Sequence, residues 1–269
     1  MRGGGVSGGQ LSALYIYPVK GARAIALARA DVLRGGLRHD RRFMVIDETG
    51  RYLTQREHPR LALIETAIEE DQLVLSCAGG RVRVPLDVMG RERTVTIWKD
   101  TVVAVDAGAE AARLLTEHLG VACAVVRMPA STIRQVDLRF AREGDHVGFA
   151  DGYPVLIASL ASLADLNAKL ERPVGMDRFR PNLVIEGTEA WAEEASRSVR
   201  IGAVTFRMPK KCARCVVTTT DQTTGVVTGK EPLRSLAIHR REGNDANFAM
   251  NAIPDGEGEL ALGDAVTFS

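Results

Sequence analysis

The chain has 269 residues, 45% of them hydrophobic and 26% charged, with a formal net charge of +1. That length accommodates one large or two small globular domains. The near-zero charge provides no electrostatic footprint for nucleic acid or an anionic membrane, and no apolar run approaches the roughly 18–20 residues of a membrane span.

Met1 to Gln10 holds five glycines and no apolar core of a signal peptide, so it reads as a flexible tail. Short strands are predicted next, at Leu11–Tyr17, Phe43–Ile46, Leu73–Leu75, Val82–Pro85, Thr94–Trp98 and Val102–Val105, from alternating or continuous apolar residues. Turn signals separate several of them: Glu48-Thr49-Gly50, Ala78-Gly79-Gly80 and Met89-Gly90. A helix is predicted over Ala109–Leu119, with Gly120 as its C-terminal stop. The charged stretch Arg127–Gly152 reads as a long connection and sets the expected division of the chain, into residues 11–126 and residues 140–269.

The second half opens on the buried-strand run Pro154-Val155-Leu156-Ile157-Ala158. A helix follows, with Leu160, Leu163, Leu166 and Leu170 on one stripe and Ser159 or Ser162 as its cap. This junction offers free backbone N–H groups, which suit an ordinary capped helix or an anion contact. Further strands are predicted at Asn182–Ile185, at the hairpin Val199–Ile201 and Val204–Phe206, and at Phe248–Ile253 and Ala265–Phe268. Asp221–Gly225 reads as a turn, and Pro232 starts a helix over Leu233–His239. With strands dominant and no internal repeat, the expected class is mainly β, or α+β, with a barrel-like architecture.

The densest chemical signal is Lys211-Cys212-Ala213-Arg214-Cys215, followed by Val216-Val217-Thr218-Thr219-Thr220. The β-branched run predicts a strand. On a strand that begins before Cys212 the two thiols would point to opposite faces, an arrangement that suits one thiolate ligand better than a clamp or a disulfide. Cys77 and Cys123 are isolated, which argues against a four-ligand zinc site. A thioredoxin-type pair would open a helix, not a strand. Two buried cysteines acting as small hydrophobes remain the plain alternative. Four cysteines without a pairing pattern fit a reducing cytoplasm.

Read together, four segments resemble the MOSC-domain family (molybdenum cofactor sulfurase C-terminal domain), in the branch of the mitochondrial amidoxime-reducing component and its bacterial relatives. They are Tyr17-Pro18-Val19-Lys20-Gly21, Gly36 through Phe43 with its Asp40-Arg41-Arg42 core, Phe179-Arg180-Pro181-Asn182-Leu183-Val184, and the cysteine segment through Gly225. The resemblance runs from about residue 11 to the C-terminus. It implies an N-terminal MOSC-associated β-rich domain packed on a C-terminal MOSC β-barrel with a few helices.

It also implies a molybdenum cofactor, with Cys215 as catalytic thiolate and metal ligand, and with Lys20, Gly21, Arg41, Ser159, Arg180, Asn182 and Arg214 contacting the cofactor. Binding of pyridoxal phosphate is a further family-level expectation. The implied activity is reduction of N-hydroxylated or N-oxygenated compounds. No flavin, haem or iron–sulfur motif is present, so electrons would come from a separate redox protein, steered by charges around Lys210, Lys211 and Arg214. A non-catalytic cofactor or sulfur carrier using Cys215, and a scaffold with structural cysteines, are the competing readings. The chain departs from the family at Gly21, where relatives often carry Ser, and at Asn247-Phe248-Ala249-Met250, where relatives show an FGQ-like segment. Neither the membrane anchor of the mitochondrial relatives nor an appended ferredoxin domain is expected.

Overall fold

A computed structural model describes residues 8–269. Most of the glycine-rich tail lies outside these residues; Gly9 and Gln10, read as tail, already belong to the first strand. Seven strands close a barrel. Gly9–Ile16 pairs antiparallel with Leu183–Glu186 on one side and with Ala265–Phe268 on the other. The ring continues through Ser198–Ile201, Val204–Ala213 and Asp245–Pro254 to Val155–Ser159. It closes where Val155–Ser159 runs parallel to Leu183–Glu186.

A parallel pair needs a crossover. The helix Leu160–Asn167 and the loop after it provide one, and Ser159 caps that helix by accepting from the Ala161 N–H at 3.2 Å. Inward side chains such as Leu11, Leu14, Ile157, Leu183, Phe206 and Val266 fill the barrel and are fully buried.

The N-terminal half adds a four-stranded sheet, in the order Phe43–Ile46, Ala124–Arg127, Asp100–Asp106 and Glu92–Ile97, and a three-stranded meander, Glu65–Glu69, Gln72–Cys77 and Gly80–Pro85. Phe43–Ile46 is apolar throughout because both its faces are covered. Phe43 and Val45 join the cluster under helix Ala109–Leu119, while Met44 and Ile46 join the cluster with Val95 and Phe149. The helix ends as expected at Gly120, whose φ of 73° is left-handed. Gly258–Ala261 pairs with Arg29–Leu33 and so ties the two ends of the chain together.

The sequence reading misplaced one element and missed others. Ile25–Leu27, Arg29–Leu33, Glu65–Glu69, Ala124–Arg127 and Gly258–Ala261 are strands that it did not predict. The run after Cys215 is not a strand: the barrel strand ends at Ala213, and Val216–Thr219 is a single 3-10 turn. Local hydrogen bonds override β propensity there. The hydroxyls of Thr218 and Thr219 donate to the carbonyls of Cys215 and Val216 at 2.9 and 2.7 Å. The Arg178 guanidinium pins the Thr219 carbonyl at 3.0 Å and the Asp221 carboxylate at 3.0 Å. Among the described residues no helix is long and apolar enough to cross a membrane.

Candidate functional site

One cleft gathers residues from three distant parts of the chain: Lys20, Gly21 and Arg41 from the N-terminal segment, Arg180 and Asn182 from the loop before Leu183–Glu186, and Cys212, Arg214 and Cys215 from the end of Val204–Ala213. Its cavity volume is about 160 Å³, and it is open to solvent on one side. Seven of the eight residues named from the sequence therefore meet here. Ser159 does not. Its side chain is fully buried at the helix start, where it caps Ala161 and contacts the Thr188 hydroxyl at 3.3 Å. The capped-helix reading of that junction is the one the structure shows.

The inner wall is a polar core built around Tyr17. The Arg41 and Arg180 guanidinium carbons both lie 4.3 Å from its ring centroid. Asp40 organises this wall. Its carboxylate accepts from the Tyr17 N–H at 2.8 Å, from Asn182 Nδ2 at 3.0 Å and from Arg41 Nη1 at 2.7 Å. Asn182 also receives Arg41 Nη1 at 2.9 Å and donates to the Tyr15 carbonyl at 3.1 Å. Asn182 is 1% exposed and fully engaged, so it braces the wall and presents no free amide to a ligand.

Burial pushes the Tyr17 hydroxyl up to about 12, so it stays neutral. Burial lowers the Arg180 guanidinium to about 10, still charged at neutral pH. Arg180 holds the Ala22 carbonyl at 2.7 Å and Gln222 Oε1 at 3.1 Å. Arg41 makes three hydrogen bonds and Arg180 two. Each guanidinium has five N–H donors, so both keep donors for an anion. Arg41 and Arg180 have φ of 45° and 55°, a left-handed backbone that a non-glycine residue holds only where its surroundings enforce it.

The mouth is a chain of contacts. The Cys215 sulfur accepts from Arg56 Nη2 at 3.3 Å. The Arg56 guanidinium stands 4.5 Å over the Trp98 ring. Trp98 Nε1 donates to Asp151 Oδ1 at 3.1 Å, and the same oxygen is ion-paired with Lys20. Burial lowers the Lys20 ammonium, and Asp151 only partly offsets this. Desolvation within the cleft would raise the Asp151 carboxyl, but Lys20, Trp98 and Arg56 outweigh it and hold the group well below the usual carboxylate range.

Arg56, Trp98 and Asp151 were not singled out in the sequence. Asp151 carries one local signal: Asp151-Gly152 is a turn-type dipeptide shortly before the barrel strand Val155–Ser159. It is set in place by the buried Arg134, which holds the carbonyls of Gly148, Ala150 and Asp151 at 2.6–3.1 Å and pairs with Asp100 at 2.7 Å.

The two thiols do not part to opposite faces. The register shifts between Lys211 and Ala213 and the chain turns before Cys215, so strand alternation does not apply, and both line the cleft. Cys212 also packs against the cluster containing Phe179 and Phe248. Its sulfur accepts from Arg214 Nη1 at 2.9 Å, while Arg214 Nη2 holds the Phe179 carbonyl at 2.8 Å. Arg214 thus points inward and is unavailable for steering a partner at the surface. Lys211 is likewise committed, to Glu194 at 2.9 Å and to Glu242.

Chemically, the cleft offers soft sulfur beside a wall of guanidinium and ammonium groups, a donor set for a soft metal together with an anion. Arg214 Nε is buried and has no partner, a donor left over for such a ligand. Among the described residues no three His, Cys, Asp or Glu side chains are grouped to hold a bare metal ion.

Residues 8–122 match the family model described as MOSC N-terminal beta barrel domain, and residues 144–267 match the MOSC domain. The chain is 35% identical to mitochondrial amidoxime-reducing component 1 of Mus musculus over 244 residues, 86% of this chain and 72% of that one. It is 32% identical to the Homo sapiens protein of the same name, over 96% of this chain and 82% of that one. A solved structure, the YUAD protein from Bacillus subtilis, aligns over 96% of this chain and 94% of that one at 12% identity with a TM-score of 0.42. The chain belongs to the MOSC-domain family, in the branch of the amidoxime-reducing components.

Proposed function

We propose that this protein is a molybdenum cofactor-dependent reductase of N-hydroxylated or N-oxygenated compounds, supplied with electrons by a separate redox protein. One observation carries the reading: a thiol, Cys215, opens into the same cleft as Lys20, Arg41, Arg180 and the unpartnered Arg214 Nε. These residues fit a cofactor that combines a soft metal, a pterin and a phosphate. Cys215 is the thiolate for the metal. Lys20, Arg41 and Arg180 are the cations for the anionic part, and Gly21, whose φ of 85° is left-handed, lines the cleft beside them. When bound, the cofactor supplies a two-electron redox centre for removing the N–O oxygen, and the net change is R–NH–OH + 2e⁻ + 2H⁺ → R–NH₂ + H₂O.

The chain's own side chains bind and orient the substrate. Trp98, 44% exposed at the mouth, offers a flat ring for a planar amidine-like group. Asp151, ionised at neutral pH, is the acceptor for the N–H donors of such a base. Arg56 keeps the Cys215 sulfur and the Trp98 ring in register. The names of the relatives, amidoxime-reducing components, support this class of substrate. Pyridoxal phosphate has less support, because the Lys20 amine that would carry its chemistry is held in an ion pair with Asp151.

The test is purification from a cofactor-competent host, metal analysis, and turnover of benzamidoxime with an artificial one-electron dye. Bound molybdenum and dye-dependent turnover that disappears in Cys215→Ser are expected. Bound molybdenum with no turnover would favour the cofactor carrier. Absence of both metal and pterin, or robust turnover with NADH alone, would overturn the proposal.

A further inference from the structure

Beside the cleft, on the outer side of the Cys215 turn, lies a second groove. Its floor is apolar, formed by Val216, Val227, Leu233 and Ala237. Arg56, Lys230 and Arg234 rim it, and no carboxylate lines it. Among the described residues none of these three cations is in an ion pair. Val216 and Val227 are 50% and 52% exposed. Val226 and Ile238, next in sequence to Val227 and Ala237, are exposed as well. Exposed apolar side chains rimmed by polar and charged ones mark a protein contact.

The groove shares a wall with the cleft. Gln55 and Arg56 line both, and the same Arg56 donates to the Cys215 sulfur. Val216 on the groove floor is the residue next to Cys215.

We infer that this groove is the docking surface for the electron donor, a one-electron carrier protein whose contact face places carboxylates around an apolar centre. The inference rests on the reductase reading above and moves the docking site away from Lys211 and Arg214, whose charges are already engaged. Unpaired cations around an apolar floor select an acidic partner and accelerate its approach, and docking here sets the carrier against the turn that bears Cys215. Each turnover takes two such encounters: R–NH–OH + 2 reduced carrier + 2H⁺ → R–NH₂ + H₂O + 2 oxidised carrier.

The test uses the cofactor-loaded full chain, benzamidoxime, and two electron sources: a small dye, and flavodoxin, an acidic one-electron carrier kept reduced by its NADPH-dependent reductase. The double variant Lys230→Glu/Arg234→Glu should keep the dye-driven rate and benzamidoxime KM. Its flavodoxin-driven kcat/KM should fall about tenfold or more at low salt, and the steep salt dependence of the wild type should flatten. Ala237→Glu, which places a carboxylate on the apolar floor, should act in the same way. Equal flavodoxin-driven rates in wild type and variants would overturn the inference, as would dye-driven wild-type turnover that flavodoxin cannot replace. A raised benzamidoxime KM with the dye would also overturn it, in favour of a substrate subsite. Loss of dye-driven turnover in the wild type would instead mark failure of the reductase reading itself.

Discussion

The inner wall and the mouth of the cleft are built on opposite principles. In the wall, Tyr17, Asp40 and Asn182 are all buried, and none of their side-chain polar atoms is orphaned. At the mouth, Cys215, Arg56, Trp98, Asp151 and Lys20 form a single file of contacts, and the Asp151 side chain is 66% exposed. A closed network holds its geometry whether or not a ligand is present, which is what a preorganised binding surface requires. An open file tolerates changes in each member and offers free edges to a reacting molecule. Stability should therefore be concentrated in the wall and turnover in the mouth.

The largest effect expected is at the mouth. Cys215→Ser should abolish dye-driven turnover while the far-UV spectrum and unfolding midpoint stay close to wild type, because the half-buried thiol makes one hydrogen bond, to Arg56. Cys212→Ser should be milder in turnover, since its sulfur also packs on the apolar cluster. Equal loss from both substitutions would break the distinction and point to a two-thiol clamp.

The wall should respond the other way. Arg41→Ala leaves the Asp40 carboxylate, 6% exposed, without its cation. Removing one partner of a buried pair costs about 3–5 kcal/mol. The Tyr17 N–H and Asn182 Nδ2 still bond Asp40, so the lower end, about 3 kcal/mol, is expected in urea unfolding. A loss below about 1 kcal/mol, the worth of a surface pair, would show that the wall is not the rigid half of the cleft.

How much of this was legible depends on how local the causes are. Phe43–Ile46 and the helix Ala109–Leu119 ending at Gly120 were readable to the residue, because a continuous apolar run and a left-handed stop are properties of neighbours in sequence. Lys20, Arg41, Arg180 and Cys215 were legible only through resemblance; nothing in their spacing says that they meet. The mouth was largely illegible. Its hydrogen bonds join residues 53 to 159 positions apart, and Asp151 owes its place to Arg134, a buried arginine within the charged connection. The Val216–Thr219 turn failed for a different reason: threonine hydroxyls bonding three residues back override a propensity that on its own pointed to a strand.

A smaller effect sharpens the comparison within the mouth. Trp98→Phe keeps an aromatic face under Arg56 but loses the Nε1–H donated to Asp151. If the full strength of one hydrogen bond to a charged group, about 1.5 kcal/mol, acts on the bound substrate, kcat/KM should fall about tenfold, while the unfolding midpoint moves little because the Asp151 carboxylate is exposed. Restoring only the ring in Trp98→Ala/Phe comparisons separates stacking from the hydrogen bond. If Trp98→Phe were neutral and Trp98→Ala were not, the ring alone would position the mouth.

The smallest effect is the pH dependence of the Lys20–Asp151 pair. The folded-state pKa of Asp151 is depressed below the ordinary 3.8. The stabilisation from its ionised form is therefore fully present above that value and lost progressively as pH falls below it. On the other side of the pair, burial lowers the Lys20 ammonium and the Asp151 carboxylate raises it again. Because the carboxylate is largely exposed, the contribution is that of a surface pair, at most about 1 kcal/mol. Asp151→Asn keeps an oxygen acceptor for Trp98 but cannot ionise. The stability gap between wild type and variant, measured by urea unfolding, should be open at pH 7 and close as pH falls from about 4 towards 2. A gap that stayed constant across that range would mean that the Asp151 charge does not hold the mouth together, and would leave Arg134 and the backbone as the sole support of that loop.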